Sequence, residues 1–134
     1  EIIKSFRKEN LSERVFFKYT EQQSDVTANV IQILEKKVYS SINIDDICKQ
    51  VGYSRGHVCG HFKKETGKTI NDYFQFLKIE EAKRLILETN QDFTSISEAL
   101  DFSNPQYFSR VFHSLTGHTP SHFRKTIFKG SFEK

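Results

Sequence analysis

The chain predicts an all-α fold, with about seven helices forming two helix-turn-helix subdomains joined by a long linker helix. Three observations predict it. From Asp25 onward apolar residues recur at helical spacing, and no stretch shows the strict alternation of a half-buried strand. Capping residues and glycine stops punctuate that pattern at regular intervals. The second half of the chain also repeats the first.

Residues 1–24 are polar and weakly patterned, although Leu11, Val15, Phe16 and Tyr19 fall at helical spacing. The sequence starts without Met, and we read this segment as a linker from a missing N-terminal domain. Val26, Val30, Ile33, Leu34 and Val38 then form one apolar stripe. Asn43 is placed to cap a short helix over 44–51, with Asp45 and Asp46 favourable in its first turn and Gly52 as its stop. Ser54 caps a helix over 55–66 that ends at Gly67. Thr69 caps a long helix over 70–88, whose apolar positions include Ile70, Tyr73, Phe74, Leu77, Ile79, Leu85 and Ile86. Thr94 is the expected cap for 95–100. Asn104 caps 105–116 with Pro105 at the first helical position, where its missing N–H costs nothing, and Gly117 ends that helix. Thr119 and Pro120 repeat the start signal for a last helix near 120–127. These elements divide the chain into a first subdomain over 25–68, a linker helix over 69–88 and a second subdomain over 89–130.

The repeat is specific. Ile44-Asp45-Asp46-Ile47 through Gly52-Tyr53 aligns with Phe93-Thr94-Ser95-Ile96 through Asp101-Phe102, 49 positions later. One extra residue falls in the turn, where an insertion is cheapest, and the match resumes at an offset of 50. Ser54 then pairs with Asn104, Val58 with Phe108, Phe62 with Phe112, Gly67 with Gly117, Thr69 with Thr119 and Tyr73 with Phe123. A short helix, a tight turn and a second helix make the helix-turn-helix layout. The turn aromatics Tyr53 and Phe102 and the helix aromatics Phe62 and Phe112 are expected to pin the paired helices together. A lone helical hairpin carries little information, but two in register with matching caps and stops point to a tandem duplex-DNA reader.

Composition narrows the class. The chain has 134 residues, 37% hydrophobic and 28% charged, which suits a globular domain rather than a disordered one. No apolar run approaches the roughly 18–20 residues that span a bilayer, and residues 1–15 hold no apolar block of a secretory signal. Two cysteines do not make a disulfide framework, so a cytoplasmic protein is expected. A net charge of +3 is only mildly basic, but the charges are segregated. Arg55, Lys63, Lys64 and Lys68 fall within 54–68 against Glu65 alone, and Arg110, Arg124, Lys125 and Lys129 fall within 103–129 without any acid. Such segregation is what a phosphate-facing surface needs, although ordinary surface charge is the competing reading.

Residues 96–125, ISEALDFSNPQYFSRVFHSLTGHTPSHFRK, resemble the DNA-binding domain of the AraC/XylS family. Residues 44–74, IDDICKQVGYSRGHVCGHFKKETGKTINDYF, and 78–90, KIEEAKRLILETN, resemble it too, so the likeness covers roughly 25–128. The resemblance implies a bacterial transcription regulator, usually an activator, that binds promoter DNA at the nucleoid in the cytoplasm. It implies two recognition helices in successive major-groove segments, about 34 Å apart. It also implies RNA polymerase as a partner and an effector-sensing or dimerising domain outside this sequence. No cofactor is implied. One departure is Asp101, which stands where the family usually has the turn glycine kept here at Gly52. Asp tolerates the left-handed conformation better than most residues, so the turn survives at some cost.

The second departure concerns base reading. Counting each recognition helix from its cap, Val58, Phe62, Phe108 and Phe112 face the core. Positions two, five and six past the cap lie on another face, which in the family meets the groove. In the second subdomain these are Gln106, Ser109 and Arg110, suited to bidentate contacts with adenine and guanine that discriminate by about 1–3 kcal/mol each. In the first they are Gly56, Cys59 and Gly60, and glycine carries no side chain to read with. We therefore expect asymmetric readout, with the second subdomain reading bases and the first docking closely through phosphate contacts and shape. Two glycines also weaken the first recognition helix by roughly 1 kcal/mol each, so it is expected to gain order on DNA. Arg55, His57, Lys63, Lys68, Asn104, Arg124 and Lys125 are the candidate phosphate contacts, with solvated charge the bland alternative for any one of them.

Other chemistry is not expected. Cys48, His57, Cys59 and His61 form no Cys-x-x-Cys pair and match no zinc-finger spacing, so no metal site is predicted. No glycine-rich phosphate loop, nucleophile elbow or acid–base set marks an enzyme. A helical protein-interaction module that ignores DNA is the alternative function. Salt separates the two, because a reader that neutralises several phosphates loses affinity steeply as salt rises.

Overall fold

The structure, a computed structural model, describes residues 25–133. The reading of 1–24 as a linker lies outside the described residues. Seven helices follow in order: α1 (Asp25–Lys36), α2 (Ile44–Val51), α3 (Arg55–Thr66), α4 (Ile70–Glu88), α5 (Phe93–Ala99), α6 (Pro105–Thr116) and α7 (Pro120–Glu133). No strand occurs among the described residues.

The chain divides into two compact units. Residues 25–37 and Ile42–Phe74 form the first, and Val38–Ser41 with residues 75–133 form the second. Helix α4 thus contributes 70–74 to one unit and 75–88 to the other.

In the first unit α1 packs against α2 and α3. Val30 and Leu34 on α1 meet a core shared with Ile47 of α2 and with Val58 and Phe62 of α3, all at most 1% exposed. Burying a side chain as large as Phe62 stabilises by about 1.5–3 kcal/mol. Thr27 is buried as well, and its hydroxyl donates to the Glu65 carboxylate.

The second unit is built the same way. Helix α6 packs on α5 and α7, with Ile96, Leu100, Phe108 and Phe112 buried. The repeat reaches atomic detail. Phe62 meets Tyr73 edge-on with ring centroids 5.4 Å apart, and the aligned Phe112 meets Phe123 at 5.4 Å. Gly67 and Gly117, with φ of 79° and 84°, close α3 and α6 by donating to the Lys63 and His113 carbonyls, each at 2.8 Å. The hydroxyls of Thr66 and Thr116 accept from the Lys68 and His118 N–H groups, both at 3.1 Å, and so fix the exit of each helix.

Three expectations change. Thr94 does not cap α5. Asp92 does, accepting from the Ser95 N–H at 2.7 Å, and this bond holds its carboxyl below the usual carboxylate range. A carboxylate is a stronger acceptor than a hydroxyl and draws the start of α5 back by two positions. Tyr53 does not pin α2 to α3: it is 52% exposed and lies on His57, whereas the aligned Phe102 is buried as expected. Helix α7 continues past 127, to Glu133.

Lys78 on α4 is a group that the sequence pattern did not reveal. It is 5% exposed, and its ammonium donates at 2.8 Å to the carbonyls of Val38 and Ser40 and also to that of Leu100. These bonds hold Val38–Ser41, Leu100 and α4 together within the second unit. Burial pushes the Lys78 pKa down to about 8, with Asp101 pulling the other way.

Candidate nucleic-acid interface

Each unit presents its longer helix on a scaffold set by its own caps. Ser54 and Asn104 start α3 and α6 in extended backbone, their side chains accepting from the N–H groups of His57 and Tyr107. Inward packing of Val58 and Phe62, and of Phe108 and Phe112, then turns the opposite face of each helix outward. On α6 that face carries exposed Gln106 and Arg110 with half-buried Ser109 between them. On α3 it carries exposed Gly56 and Gly60 with half-buried Cys59. A Cβ built on Gly56 or Gly60 would meet nothing within 4 Å. Packing among the described residues therefore does not require glycine at either position.

The phosphate candidates occupy different surroundings. Arg55 pairs with Asp45 at 2.8 Å, both side chains more than half exposed, and this contact raises the Arg55 pKa further. An ion pair this exposed is screened by solvent and holds its partners weakly, so a phosphate can displace the aspartate. His57 is exposed and lies in a stack, 4.7 Å from the Tyr53 ring and 5.7 Å from His61. Lys63, Lys68 and Lys125 are exposed. Asn104 spends its carbonyl oxygen on the Tyr107 N–H at 2.7 Å, leaving its amide NH2 as the group that could meet an anion. Arg124 is half-buried, donates to the Gln91 carbonyl at 3.0 Å and lies 4.7 Å over the Phe93 ring. It ties α7 to the entry of α5, which restricts it more than the other cations.

Two residues near this face escaped the sequence reading. Tyr107 is half-buried beneath Arg110, and Gln75 on α4 donates to its hydroxyl at 3.0 Å. The i,i+3 spacing of Tyr107 and Arg110 was legible, but the partner 32 positions away in sequence was not. Cys48 is buried, which raises its thiol pKa.

Comparison with known proteins agrees with this layout. A transcriptional regulator from Chromobacterium violaceum, described among AraC-type DNA-binding domain-containing proteins, superimposes with a TM-score of 0.75 at 24% identity, over 78% of this chain and 94% of that one. A family profile described as a helix-turn-helix domain matches residues 47–126. The chain belongs to the AraC-type helix-turn-helix family. An uncharacterized HTH-type transcriptional regulator of Pseudoalteromonas carrageenovora is 35% identical over 102 residues, 76% of this chain. The match spans 60% of that relative's length. The AraC-type fold also appears in the DNA-binding domain of AdpA, a global transcriptional factor solved in complex with a target DNA, with a TM-score of 0.70 at 17% identity over 77% of this chain and 93% of that one. Family and fold are those of DNA-binding transcription regulators, not of enzymes. Among the described residues no helix is long and apolar enough to cross a membrane.

Proposed function

We propose an asymmetric reader of duplex DNA: the chain is a sequence-specific DNA-binding domain of a bacterial transcription regulator in which α6 reads base edges and α3 docks bare against the groove. The observation that carries the asymmetry is the pair Gly56 and Gly60. Both are exposed on α3, Gly56 in its first turn and Gly60 in its interior, with open space among the described residues where a Cβ would go. Gly60 costs the helix about 1 kcal/mol relative to alanine and Gly56, in the first turn, costs less, and among the described residues no packing contact compensates. The reason then lies outside the chain, in a surface that approaches the α3 backbone more closely than a side chain would permit.

Gln106, Ser109 and Arg110 supply the base contacts of the second subdomain, and Gly56, Cys59 and Gly60 form the close-approach face of the first. Arg55, His57, Lys63, Lys68, Asn104, Arg124 and Lys125 supply phosphate contacts, with Arg55 exchanging Asp45 for phosphate. The two recognition helices take successive major-groove segments of a promoter. The regulator acts as an activator in the cytoplasm, at the nucleoid, in contact with RNA polymerase. A sensor or dimerisation domain completes it, which fits a chain that matches only 60% of a relative's length.

The test is selection of binding sites from a random duplex library with this chain, repeated for Arg110→Ala and Gln106→Ala. A defined motif blurred in one half only by those changes is the expected result. A motif untouched by either change would overturn the assignment of reading residues. Absence of any motif at low salt would favour the interaction module instead.

A further inference from the structure

Arginine has many rotamers, so one that reads a single base needs support. In this structure the support comes from Tyr107, one turn earlier on α6, whose ring lies 5.8 Å from the Arg110 guanidinium carbon. Tyr107 is itself held. Its hydroxyl accepts from the Gln75 amide at 3.0 Å, and its ring lies 6.0 Å from that of buried Phe102. The other amide atom of Gln75, Oε1, is buried and has no hydrogen-bond partner among the described residues. Swapping the amide's oxygen and nitrogen would leave its NH2 unpaired instead. On a half-buried residue an amide with one buried, unpaired atom is costly, because an apolar side chain of the same size would pack there at lower cost. Its retention points to the one bond it makes. The first subdomain has no such arrangement: the position aligned with Tyr107 is His57, stacked on Tyr53, and the position aligned with Arg110 is Gly60.

We propose that Tyr107, tethered by Gln75, is a positioning residue for base reading: its ring holds the Arg110 guanidinium over the outer face of α6, so that α4 sets the aim of the reading side chain. This rests on the reading of Arg110 as a base contact. Losing an exposed cation–π shelf corresponds to a change of about 2- to 5-fold in preference for the Arg110 base pair.

The experiment measures affinity at fixed salt for the selected duplex and for a duplex changed only at the base pair that Arg110→Ala blurs. It compares the native chain with Tyr107→Leu, Tyr107→Phe, Gln75→Leu, Arg110→Ala and the double variant Arg110→Ala/Tyr107→Leu. Tyr107→Leu is expected to lower the preference about 2- to 5-fold, with preference in the half of the motif that faces the first subdomain unchanged. Tyr107→Phe, which keeps the ring, and Gln75→Leu, which leaves α6 intact, should each lower it less. Tyr107→Leu should do nothing further once Arg110 is alanine. A Tyr107→Leu protein that keeps full preference, or loses as much with Arg110 already removed, overturns the proposal. Should Tyr107→Leu fail to fold, Gln75→Leu decides: undiminished preference there counts against the tether. If Arg110→Ala leaves the whole motif intact, the reading of Arg110 falls and the proposal falls with it. A motif that depends on Arg110 and ignores Tyr107 and Gln75 removes the proposal alone.

Discussion

Helices α3 and α6 have the same length, the same kind of cap, the same left-handed glycine stop and the same edge-on aromatic contact behind them. They differ on the outward face, where one shows two glycines and the other Gln106 and Arg110. The inward half of each helix is fixed by packing, which tolerates few alternatives, so the repeat persists there. The outward half is free of that constraint and answers only to what it touches. The difference therefore separates the residues that fold each unit from those proposed to read bases.

The largest test of the shared half is removal of the central aromatics. Phe62→Ala and Phe112→Ala should each cost about 3–5 kcal/mol, because both rings are fully buried in equivalent positions. Urea unfolding of the two variants checks this. A cost several-fold smaller at one site would break the equivalence of the two cores.

The polar anchors of the two units come next. The first unit buries the neutral Thr27, whereas the second buries the Lys78 ammonium. Lys78→Met leaves three carbonyls without their donor and should cost about 1–3 kcal/mol near neutral pH. The pH dependence has a definite sign. The folded-state pKa lies near 8 and the ordinary value is 10.5. Below pH 8 both states hold the proton, and the folded chain carries the full cost of burying the charge. Between 8 and 10.5 the unfolded chain alone keeps it, so the Lys78 contribution to stability rises with pH. The native chain should therefore gain on Lys78→Met as the pH rises through that window, in urea titrations at matched salt. A flat difference would show that burial does not depress this lysine.

The differing half is tested by Gly56→Ala and Gly60→Ala. Gly60→Ala should stabilise the free protein by about 0.5–1 kcal/mol and Gly56→Ala, in the first turn, by less, since the added methyl meets none of the described residues and alanine favours helix. Each should also weaken DNA binding. Thermal unfolding and salt-matched affinity measurements together decide it. Variants that are more stable and bind as well as the native chain would remove the case for close approach by α3.

Much of this architecture is legible in the sequence because it rests on local chemistry. Asn43, Ser54, Thr69 and Asn104 announce their helices through side chains that accept bonds from the N–H three residues on. The start of α5 was misplaced because Thr94 has the chemistry of a cap, whereas the Asp92 carboxylate, the stronger acceptor, takes the Ser95 N–H two positions earlier. Tyr53 misled because aligned positions need not share burial once an extra residue enters the turn, leaving Phe102 inside and Tyr53 out. Lys78, Gln75 and Tyr107 could not be read from pattern, since each makes its decisive contact with a residue at least 22 positions away. On the candidate face the identity of the outward residues was legible, and the support beneath Arg110 was not.

The two turns give the smallest and sharpest comparison. Gly52 and Asp101 both take positive φ, 86° and 61°, yet only one is glycine. On backbone grounds alone Asp101→Gly should stabilise, because a non-glycine residue in this region costs roughly 1 kcal/mol. The acid, however, stands close enough to Lys78 to offset part of the effect of its burial. Asp101→Asn separates the two effects: asparagine tolerates the left-handed region at least as well and carries no charge. If Asp101 serves Lys78, Asp101→Asn should lose a few tenths of a kcal/mol near pH 7. The window in which stability rises with pH should then open below 8, because the ammonium has lost its counter-charge. Gly52→Ala, with open space around the added methyl but a positive φ to adopt, should cost about 1 kcal/mol at every pH. An Asp101→Asn protein as stable as the native chain with an unmoved window would mean that the acid is tolerated in the turn rather than retained there by the lysine.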